Sequence, residues 1–316
     1  MKTILNDEAF VLCYYICMLS YQHIFHAGNH ADILKHCVLI QVLNSLNKKE
    51  KPYTFFDTHA ASGLYDLTDG RSLKTGEAGR GIMTLTALTG EGIAAGDSDK
   101  PLPPLLQSYL DFVKPYIADS RYPGSPEIER CFMREQDTLI LSELHPQEIE
   151  NLRVNMKLPR EKTPSVQIHK RNGWEMLTAL TPPATKRGAV LIDPSYEETA
   201  DYVQAADTIT AVHKKWSNGI IMLWYPLLAH REGEIESMLD RITEGARALN
   251  SNIEIANLQL EVFDKNEHRE VSLEDFRASE GKNPPRLYGS GMLVLNVPWK
   301  LEEETNAVIE YVKKRL

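Results

Sequence analysis

GAVLIDPSYE, residues 188–197, joins a run of small and apolar residues to an acidic turn that contains proline. The apolar half has the length and the bounds of a strand that is buried on both faces of a sheet. Residues that follow such a strand lie at the carboxyl end of a parallel sheet, where α/β folds bind their ligands. Asp193 and its neighbours are therefore predicted to lie in a functional site.

Further apolar runs bounded by turn residues repeat this pattern. They are YTFFD (53–57), TLILSE (138–143), SVQIH (165–169) and GIIMLWY (219–225). Segments of helical length separate most of them, which predicts an α/β fold with a parallel sheet covered on both faces. Two later strands, IEIANLQLEVF and MLVLNVPW, are expected to close the sheet as an antiparallel edge pair.

The rest of the chain divides into helical segments. Asn29 to Asn47 is predicted to be a helix that Asn29 caps. Between Tyr65 and Ser120 the alternation of strands and helices stops, and two helical segments, about 76–88 and 105–117, flank a Gly/Asp/Pro linker. We therefore expect a helical insertion at 65–120 and an α/β domain formed by 18–64 and 121–316. Residues 1–17 are predicted to be an N-terminal extension, and the alternative is a short strand or helix packed on the domain.

The composition is that of an ordinary globular protein, with 42% hydrophobic and 25% charged residues in a chain of 316. Its four cysteines form no CxxC pair, which favours reduced thiols in a cytoplasmic protein. The apolar stretch AFVLCYYICML (9–19) is too short to span a bilayer. We expect no membrane partner.

The net charge of −9 argues against tight binding to long nucleic-acid duplexes. The acidity is uneven, however. Residues 188–316 hold 14 Lys and Arg against 22 Asp and Glu, whereas residues 18–80 hold 7 against 6. A small RNA-binding footprint away from the C-terminal part is compatible with this distribution.

The residue types after Ile192 fit methylation of an adenine amino group. That nitrogen shares its lone pair with the ring, and acceptors for its two N–H bonds favour a pyramidal form that can attack a sulfonium methyl. Asp193 and the carbonyl of Pro194 can accept these bonds, Asp193 can take the proton, and Tyr196 can stack on the extruded base. The sulfonium carries its own leaving group, so no metal is expected. A lone D-P-x-Y also fits an ordinary strand-ending turn.

Three more strand ends support a pocket for S-adenosylmethionine. The first strand ends in DTHAASG (57–63), an acidic residue followed by a small-residue turn. Glu143 ends the second, where a carboxylate can grip ribose hydroxyls, and Asn172-Gly173 follows the third, where an adenine ring would lie. Each signal is weak alone, but their order along the chain matches that of a cofactor site.

Several segments, taken together, resemble the ribosomal RNA large subunit methyltransferase J family. They are MLSYQHIFHAGNHADILKH (18–36), DTHAASGLY (57–65), YPGSP (122–126), SELHP (142–146), LIDPSYE (191–197), LWYP (223–226) and SGMLVLNVPWKL (290–301). The resemblance implies a Rossmann-like methyltransferase fold with a small helical insertion. It also implies a metal-independent monomer that methylates adenine N6 in 23S ribosomal RNA, which we expect to be free or early in assembly.

The resemblance also implies roles for individual residues. The family's catalytic acceptor falls on Asp193, and its substrate-side residues fall on Tyr21, His23 and Lys35. Its cofactor contacts fall on His36, His59, Ser125, Glu143, Asn172, Gly173 and Asp193.

Three positions depart from the family pattern. Ser195 replaces the second proline of D-P-P-Y. The loop is expected to be more flexible as a result, at a cost of about 1 kcal/mol in stability. Ala61 stands where glycine is common, and Asn172 stands where aspartate is common. An amide oxygen at Asn172 is still expected to accept a bond from an adenine amino group.

Other interpretations remain open at this point. His26 and His30 are four residues apart, but no H-E-x-x-H and no obvious further ligands accompany them, so we predict no metal site. Ser125 before Pro126 is typical of a helix cap. The alternatives for function are a DNA adenine-N6 methyltransferase, with a role in the use of external DNA, and a non-catalytic nucleic-acid-binding module.

Overall fold

The computed structural model describes residues 22–88, 101–157, 162–265 and 287–316. Its main feature is a seven-stranded sheet in the order β5-β4-β1-β6-β7-β9-β8. The strands are β1 (Thr54–Asp57), β4 (Thr138–Glu143), β5 (Ser165–Lys170), β6 (Gly188–Ile192), β7 (Ile220–Leu227), β8 (Ile255–Glu261) and β9 (Gly289–Leu295). A separate two-stranded sheet pairs β2 (Leu64–Asp66) with β3 (Arg121–Pro123).

The centre of the large sheet is parallel, as predicted. β1 lies between β4 and β6, with Asp57 opposite Leu141 on one side and Leu191 on the other. Because the strands are parallel, the residues that follow β1, β4, β5 and β6 meet at one edge of the sheet. β9 runs antiparallel to both β7 and β8, so the predicted antiparallel strands are confirmed. The predicted Rossmann-like α/β architecture is confirmed with them.

Helices cover both faces of the large sheet. In the α/β part of the chain they are α1 (His30–Asn47), α6 (Ser125–Phe132), α7 (Pro146–Asn155), α8 (Gly173–Leu180), α9 (Thr199–Lys215), α10 (Glu232–Leu249) and α11 (Leu301–Lys313). One apolar cluster packs α1, α6 and α11 on one face, and a second packs α8, α9 and α10 on the other. Burial of these two layers is the main favourable term for the fold.

Helix α1 begins as predicted, because the Asn29 side chain accepts hydrogen bonds from the backbone N–H groups of Ala31 and Asp32 at 2.9 and 3.0 Å. Most of the helix is buried rather than one face alone, since it contacts α6, α11 and β9. Its charged first turn therefore lies inside the protein, where Asp32 and Lys35 are both buried.

The segment between β2 and β3 is helical over its described residues. It contains α2 (Gly70–Thr75), α3 (Glu77–Arg80), α4 (Ile82–Ala87) and α5 (Pro104–Ala118). The single helix predicted over 76–88 is wrong, because the chain breaks at Gly81. A Cβ on Gly81 would lie 2.2 Å from the Gly28 carbonyl oxygen, which accepts a hydrogen bond from the Ile82 N–H. The division of the chain into extension, insertion and main domain stays a prediction.

Among the residues described, no helix has the length and apolar character needed to cross a membrane. The apolar stretch 9–19 and the rest of the predicted N-terminal extension lie outside the described residues.

Candidate active site

A pocket lies at the carboxyl edge of the parallel strands, where the predicted strand ends converge. Residues 58–61 follow β1, Glu143 ends β4 and residues 144–145 follow it, residues 172–174 follow β5 and residues 193–195 follow β6. The remaining lining residues come from other segments: His23, Lys35, Tyr65, Gly124, Ser125, Glu148 and Asp201.

Lys35 anchors the wall formed by Asp193. Its Nζ lies 2.6 Å from Oδ2 of Asp193 and 2.8 Å from Oδ1 of Asp32. Burial lowers the pKa of the Lys35 ammonium, but the carboxylates of Asp193 and Asp32 outweigh it and the pKa is raised. Lys35 is therefore a permanent cation that crosses from α1 to the end of β6.

Asp32 holds the other side of Lys35. Its Oδ2 accepts hydrogen bonds from the Gly28 N–H at 2.9 Å and from His23 at 3.0 Å. Burial raises the pKa of the Asp32 carboxyl, but His23 and Lys35 hold it well below its usual range. This ion pair brings His23 and Lys35, both predicted substrate-side residues, to the same wall of the pocket as Asp193.

Glu143 lines the pocket, but backbone donors hold its carboxylate. Oε1 accepts from the N–H groups of Leu144 and His145, and Oε2 accepts from that of Ala61, each at 2.7 Å. Burial raises the pKa of Glu143, and these backbone bonds offset part of that effect. Oε2 keeps one acceptor position for a ribose hydroxyl, whereas Oε1 has both of its lone pairs occupied.

The turn after β1 brings a backbone N–H to Glu143. Ala61 there has a φ of +46°, a region that favours glycine. His59, two residues earlier, contacts the ring of Trp174 with centroids 5.0 Å apart. Burial lowers the pKa of His59 to about 4, so its imidazole is neutral at physiological pH.

Asn172 and Gly173 begin α8 at the pocket floor. The Asn172 Oδ1 caps the helix by accepting from the N–H groups of Trp174 and Glu175 at 2.9 and 3.3 Å. This oxygen is therefore engaged, and the predicted bond from an adenine amino group to it is replaced by a cap. Gly173 packs so closely on β1 that a Cβ would lie 2.0 Å from the Thr58 carbonyl oxygen.

Ser125 lines the pocket, but its side chain does not form the predicted helix cap. Helix α6 begins at Ser125 with Gly124 as its N-cap residue, and the side chain makes no capping bond. The Ser125 hydroxyl donates instead to Oδ2 of the buried Asp57 at 2.7 Å. It therefore fixes the acidic residue at the end of β1.

Asp57 also faces a second buried carboxyl group, Glu129 of α6. Burial raises the pKa of Asp57 to about 6, against the opposing effect of its bonds from Ser125 and the His59 N–H. Burial, with Asp57 adding to it, raises the pKa of Glu129 well above its usual range. Neither oxygen of Glu129 meets a hydrogen-bond donor among the described residues. A protonated Glu129 can donate a hydrogen bond to Asp57, an interaction that favours the neutral form of Glu129.

A model of the family described as "Ribosomal RNA large subunit methyltransferase D, RlmJ" matches residues 50–316. The chain belongs to this family. It is similar to ribosomal RNA large subunit methyltransferase J of Escherichia coli (strain K12), with 36% identity over 303 residues, 95% of this chain and 94% of the relative. The protein of the same name from Haemophilus influenzae is 33% identical over the same shares.

A solved structure shares the fold. The crystal structure of a protein from Legionella pneumophila is 29% identical to this chain, covers 92% of it over 94% of its own length, and superposes with a TM-score of 0.71. The fold is that of a Rossmann-like methyltransferase, as the sequence predicts.

The structure does not bring His36 to the pocket wall. Its side chain is completely buried on α1, and its Nδ1 lies 3.0 Å from the Tyr122 hydroxyl and 3.3 Å from that of Tyr109. Burial lowers the pKa of His36 to about 3, which keeps the ring neutral. Its Nε2 has no hydrogen-bond partner among the described residues, and the predicted cofactor contact of His36 stays a prediction.

Tyr196 is also absent from the pocket lining. Its ring is buried, and the centroids of the Tyr196 and Tyr202 rings are 4.6 Å apart. The Tyr196 hydroxyl donates to the Trp224 carbonyl at 3.0 Å. Neighbouring aromatic rings cover Tyr196 in this arrangement, and its predicted stacking on a base stays a prediction. The third residue of the predicted substrate-side set, Tyr21, lies outside the described residues.

Two functional features escape the sequence patterns. One is the role of Asp32 as a partner of Lys35. The only pattern that could have indicated it is the spacing of three residues between them on one helix, which suits an intrahelical ion pair. Glu129 gave no signal, because a carboxyl inside a helix is ordinarily exposed.

Within the four described ranges, no group of three or more His, Cys, Asp and Glu side chains could hold a metal ion. The expected independence from metal stays a prediction.

Glu129→Gln tests the protonated carboxyl. A group whose pKa is raised on folding stabilises the protein below its unfolded pKa, about 4.3 for glutamate, and loses that contribution as the pH rises. We therefore expect the variant to gain free energy of unfolding relative to the wild type between about pH 5 and pH 8. Urea unfolding at several pH values measures this difference. A difference independent of pH would show that Glu129 is ionised in the folded protein.

Proposed function

We propose that this chain transfers a methyl group from S-adenosylmethionine to N6 of an adenine in 23S ribosomal RNA. The observation that carries the proposal is Asp193, an anionic acceptor at the end of β6 that a buried lysine holds in a pocket formed by four strand ends. Membership of a ribosomal RNA large subunit methyltransferase family supports the substrate class.

The residues of the pocket fit the cofactor. Oε2 of Glu143 can accept a bond from a ribose hydroxyl, and the amide nitrogen of Asn172 can donate to a ring nitrogen of the cofactor's adenine. The absence of a side chain at Gly173 leaves the β1 turn and α8 in close contact at the pocket floor. When bound, S-adenosylmethionine supplies the electrophilic methyl group.

The target adenine is proposed to sit against Asp193 and Pro194. Lys35 occupies Oδ2 of Asp193, which leaves Oδ1 to accept a hydrogen bond from the N6 amino group. The Pro194 carbonyl accepts the other, so the nitrogen lone pair can point at the methyl carbon. The N6–carbon bond forms as the carbon–sulfur bond breaks, with its electron pair left on sulfur. The amino group then loses a proton to Asp193.

Lys35 limits how Asp193 can move. The ammonium lies between two carboxylates on different elements, so it fixes the angle at which Oδ1 faces the substrate. A positioned acceptor of this kind contributes to catalysis because it needs no reorganisation when charge develops on the nitrogen. His23, which binds Asp32, is proposed to contact the RNA beside the target base.

The proposed substrate is free or early-assembly RNA, and the proposed working form is a cytoplasmic monomer that needs no metal. DNA adenine methylation uses the same acceptors, so naked DNA belongs in every assay beside protein-free 23S ribosomal RNA and assembled subunits. Label transfer to DNA alone, or to none of the three, would replace the proposed function with one of the alternatives raised by the sequence.

Asp193→Asn separates chemistry from binding. The amide keeps an oxygen for Lys35 but removes the anionic acceptor of the proton, so methyl transfer to RNA should fall by at least ~10²-fold. The affinity for S-adenosylhomocysteine should change much less, because Glu143 and the β1 turn form the other side of the pocket. Radiolabel transfer and calorimetry measure the two quantities. Near-full turnover by this variant would remove Asp193 from the chemistry.

Glu143→Ala tests the cofactor side. The substitution removes a ribose acceptor and also releases the backbone N–H of Ala61, so the affinity for S-adenosylhomocysteine should fall by at least ~10-fold. Glu150→Ala, which changes an exposed carboxylate of α7, is the matched control. The wild type should gain melting temperature with added S-adenosylhomocysteine. Equal affinity in the folded Glu143 variant would exclude it from the site.

Tyr196→Phe tests the anchoring of the D-P-S-Y loop. The hydroxyl donates to a buried carbonyl, so its removal should lower the free energy of unfolding by about 1 kcal/mol. A residue that only stacks on a base would tolerate phenylalanine. Denaturant unfolding together with the KM for RNA distinguishes the two roles. Unchanged stability of Tyr196→Phe, with a raised KM in Tyr196→Ala, would support the stacking role and contradict the anchoring role.

A further inference from the structure

A second groove lies at the amino ends of the parallel strands, opposite the active site. The segment after α1, the residues before β6 and Pro298 after β9 contribute to its walls. Gly188 lines this groove and Asp193 lines the active site. β6 thus connects the two sites, which places them roughly 16 Å apart along the strand.

The groove collects positive charge in a chain whose net charge is −9. Lys49, Lys51 and Lys186 line it, are exposed, and form no ion pair within the described part of the chain. Arg187 adds a fourth cation, and Glu50 is the one acidic residue in the wall. Unpaired lysines around a concave surface attract phosphate groups.

Two arginines hold the lysine-bearing loop in place. Arg134 donates to the carbonyls of Lys49 and Lys51 at 2.9 and 3.2 Å, and Arg187 donates to that of Lys51 at 2.5 Å. Both guanidinium groups lie 5.5 Å from the ring centroid of Tyr53. The backbone that carries the lysines is thus fixed before any ligand binds, which reduces the entropy lost on binding.

An exposed tryptophan adjoins the same groove. Trp299 follows the lining residue Pro298, and 77% of its surface is exposed to solvent. Its sequence neighbours Lys300, Glu302 and Glu303 are exposed and charged, which differs from the apolar surroundings typical of a protein-binding patch. An exposed indole next to a residue that lines a lysine-bearing groove fits a base-stacking position in a single-stranded nucleic-acid site.

We propose that this groove is a second RNA-binding site, in which the lysines contact phosphates and Trp299 stacks on an unpaired base. The inference rests on the proposed function, because it assigns a further contact to the same RNA. The carboxylates of Glu302 and Glu303 disfavour phosphates beyond Trp299, so the RNA backbone is expected to follow the lysine side of the groove. Only a substrate long enough to pass from one edge of the sheet to the other reaches both sites.

The test compares a groove variant with a variant of equal charge change elsewhere. The groove variant is Lys49→Gln, Lys51→Gln and Lys186→Gln, and the control is Lys114→Gln, Lys313→Gln and Lys314→Gln. The full-length proteins are assayed on transcribed 23S ribosomal RNA and on the shortest fragment of it that the wild type still methylates. Trp299→Ala and Trp299→Phe are assayed alongside, and melting temperatures verify that all variants fold.

We expect the groove variant to bind the long RNA at least ~10-fold more weakly and to reduce the slope of log K against log salt by about 2. Its kcat at saturating RNA, its activity on the short fragment and its affinity for S-adenosylhomocysteine should match the wild type. Trp299→Ala should weaken long-RNA binding about tenfold, and Trp299→Phe much less.

Long-RNA affinity equal to that of the control would overturn the second site, as would equal losses on the long and the short RNA. A wild type that methylates neither RNA would instead overturn the proposed function. Filter binding of the long RNA, which needs no turnover, tests the groove in that case too. Retained RNA affinity with a change in self-association would assign the groove to a protein contact and overturn the RNA proposal.

Discussion

The ion pair between Lys35 and Asp193 is the interaction on which the site depends. Removing a lysine and two carboxylates from water is costly unless each charge finds a partner. Lys35 binds both carboxylates, and His23 and the Gly28 N–H give Asp32 its further hydrogen bonds. The arrangement requires α1 to bury its charged first turn against the end of β6. The capping of α1 by Asn29 and the close packing of Gly28 and Gly81 serve the same placement.

The parallel sheet and the edge that carries the pocket could be predicted from the sequence, because the ends of strands have recognisable local patterns. Apolar runs of five or six residues, followed by acidic residues and small turns, fixed the parallel sheet and the edge at which Asp193, Glu143 and Asn172 lie. The antiparallel strands were predicted for the same reason. These features depend on residues adjacent in the chain, so the pattern alone carries them.

Other features depend on contacts between distant segments, and the sequence could not determine them. Asn172 and Tyr196 have side chains that suit a ligand, but one caps a helix and the other packs against Tyr202 and Trp224. His36 belongs to a segment that resembles the family, yet it faces two buried tyrosines. The residue type limits which hydrogen bonds and contacts a side chain can form. Tertiary packing determines which of these it forms in the folded protein.

The raised pKa of Glu129 also affects how heat measurements on this protein behave. A carboxyl group that is neutral in the fold and ionised in the unfolded chain releases its proton to the solvent when the protein unfolds near neutral pH. The buffer takes up that proton and contributes its own enthalpy of ionisation. Calorimetric unfolding enthalpies are therefore expected to differ between phosphate and Tris buffers that have the same pH at the unfolding temperature, although the structure that melts is the same.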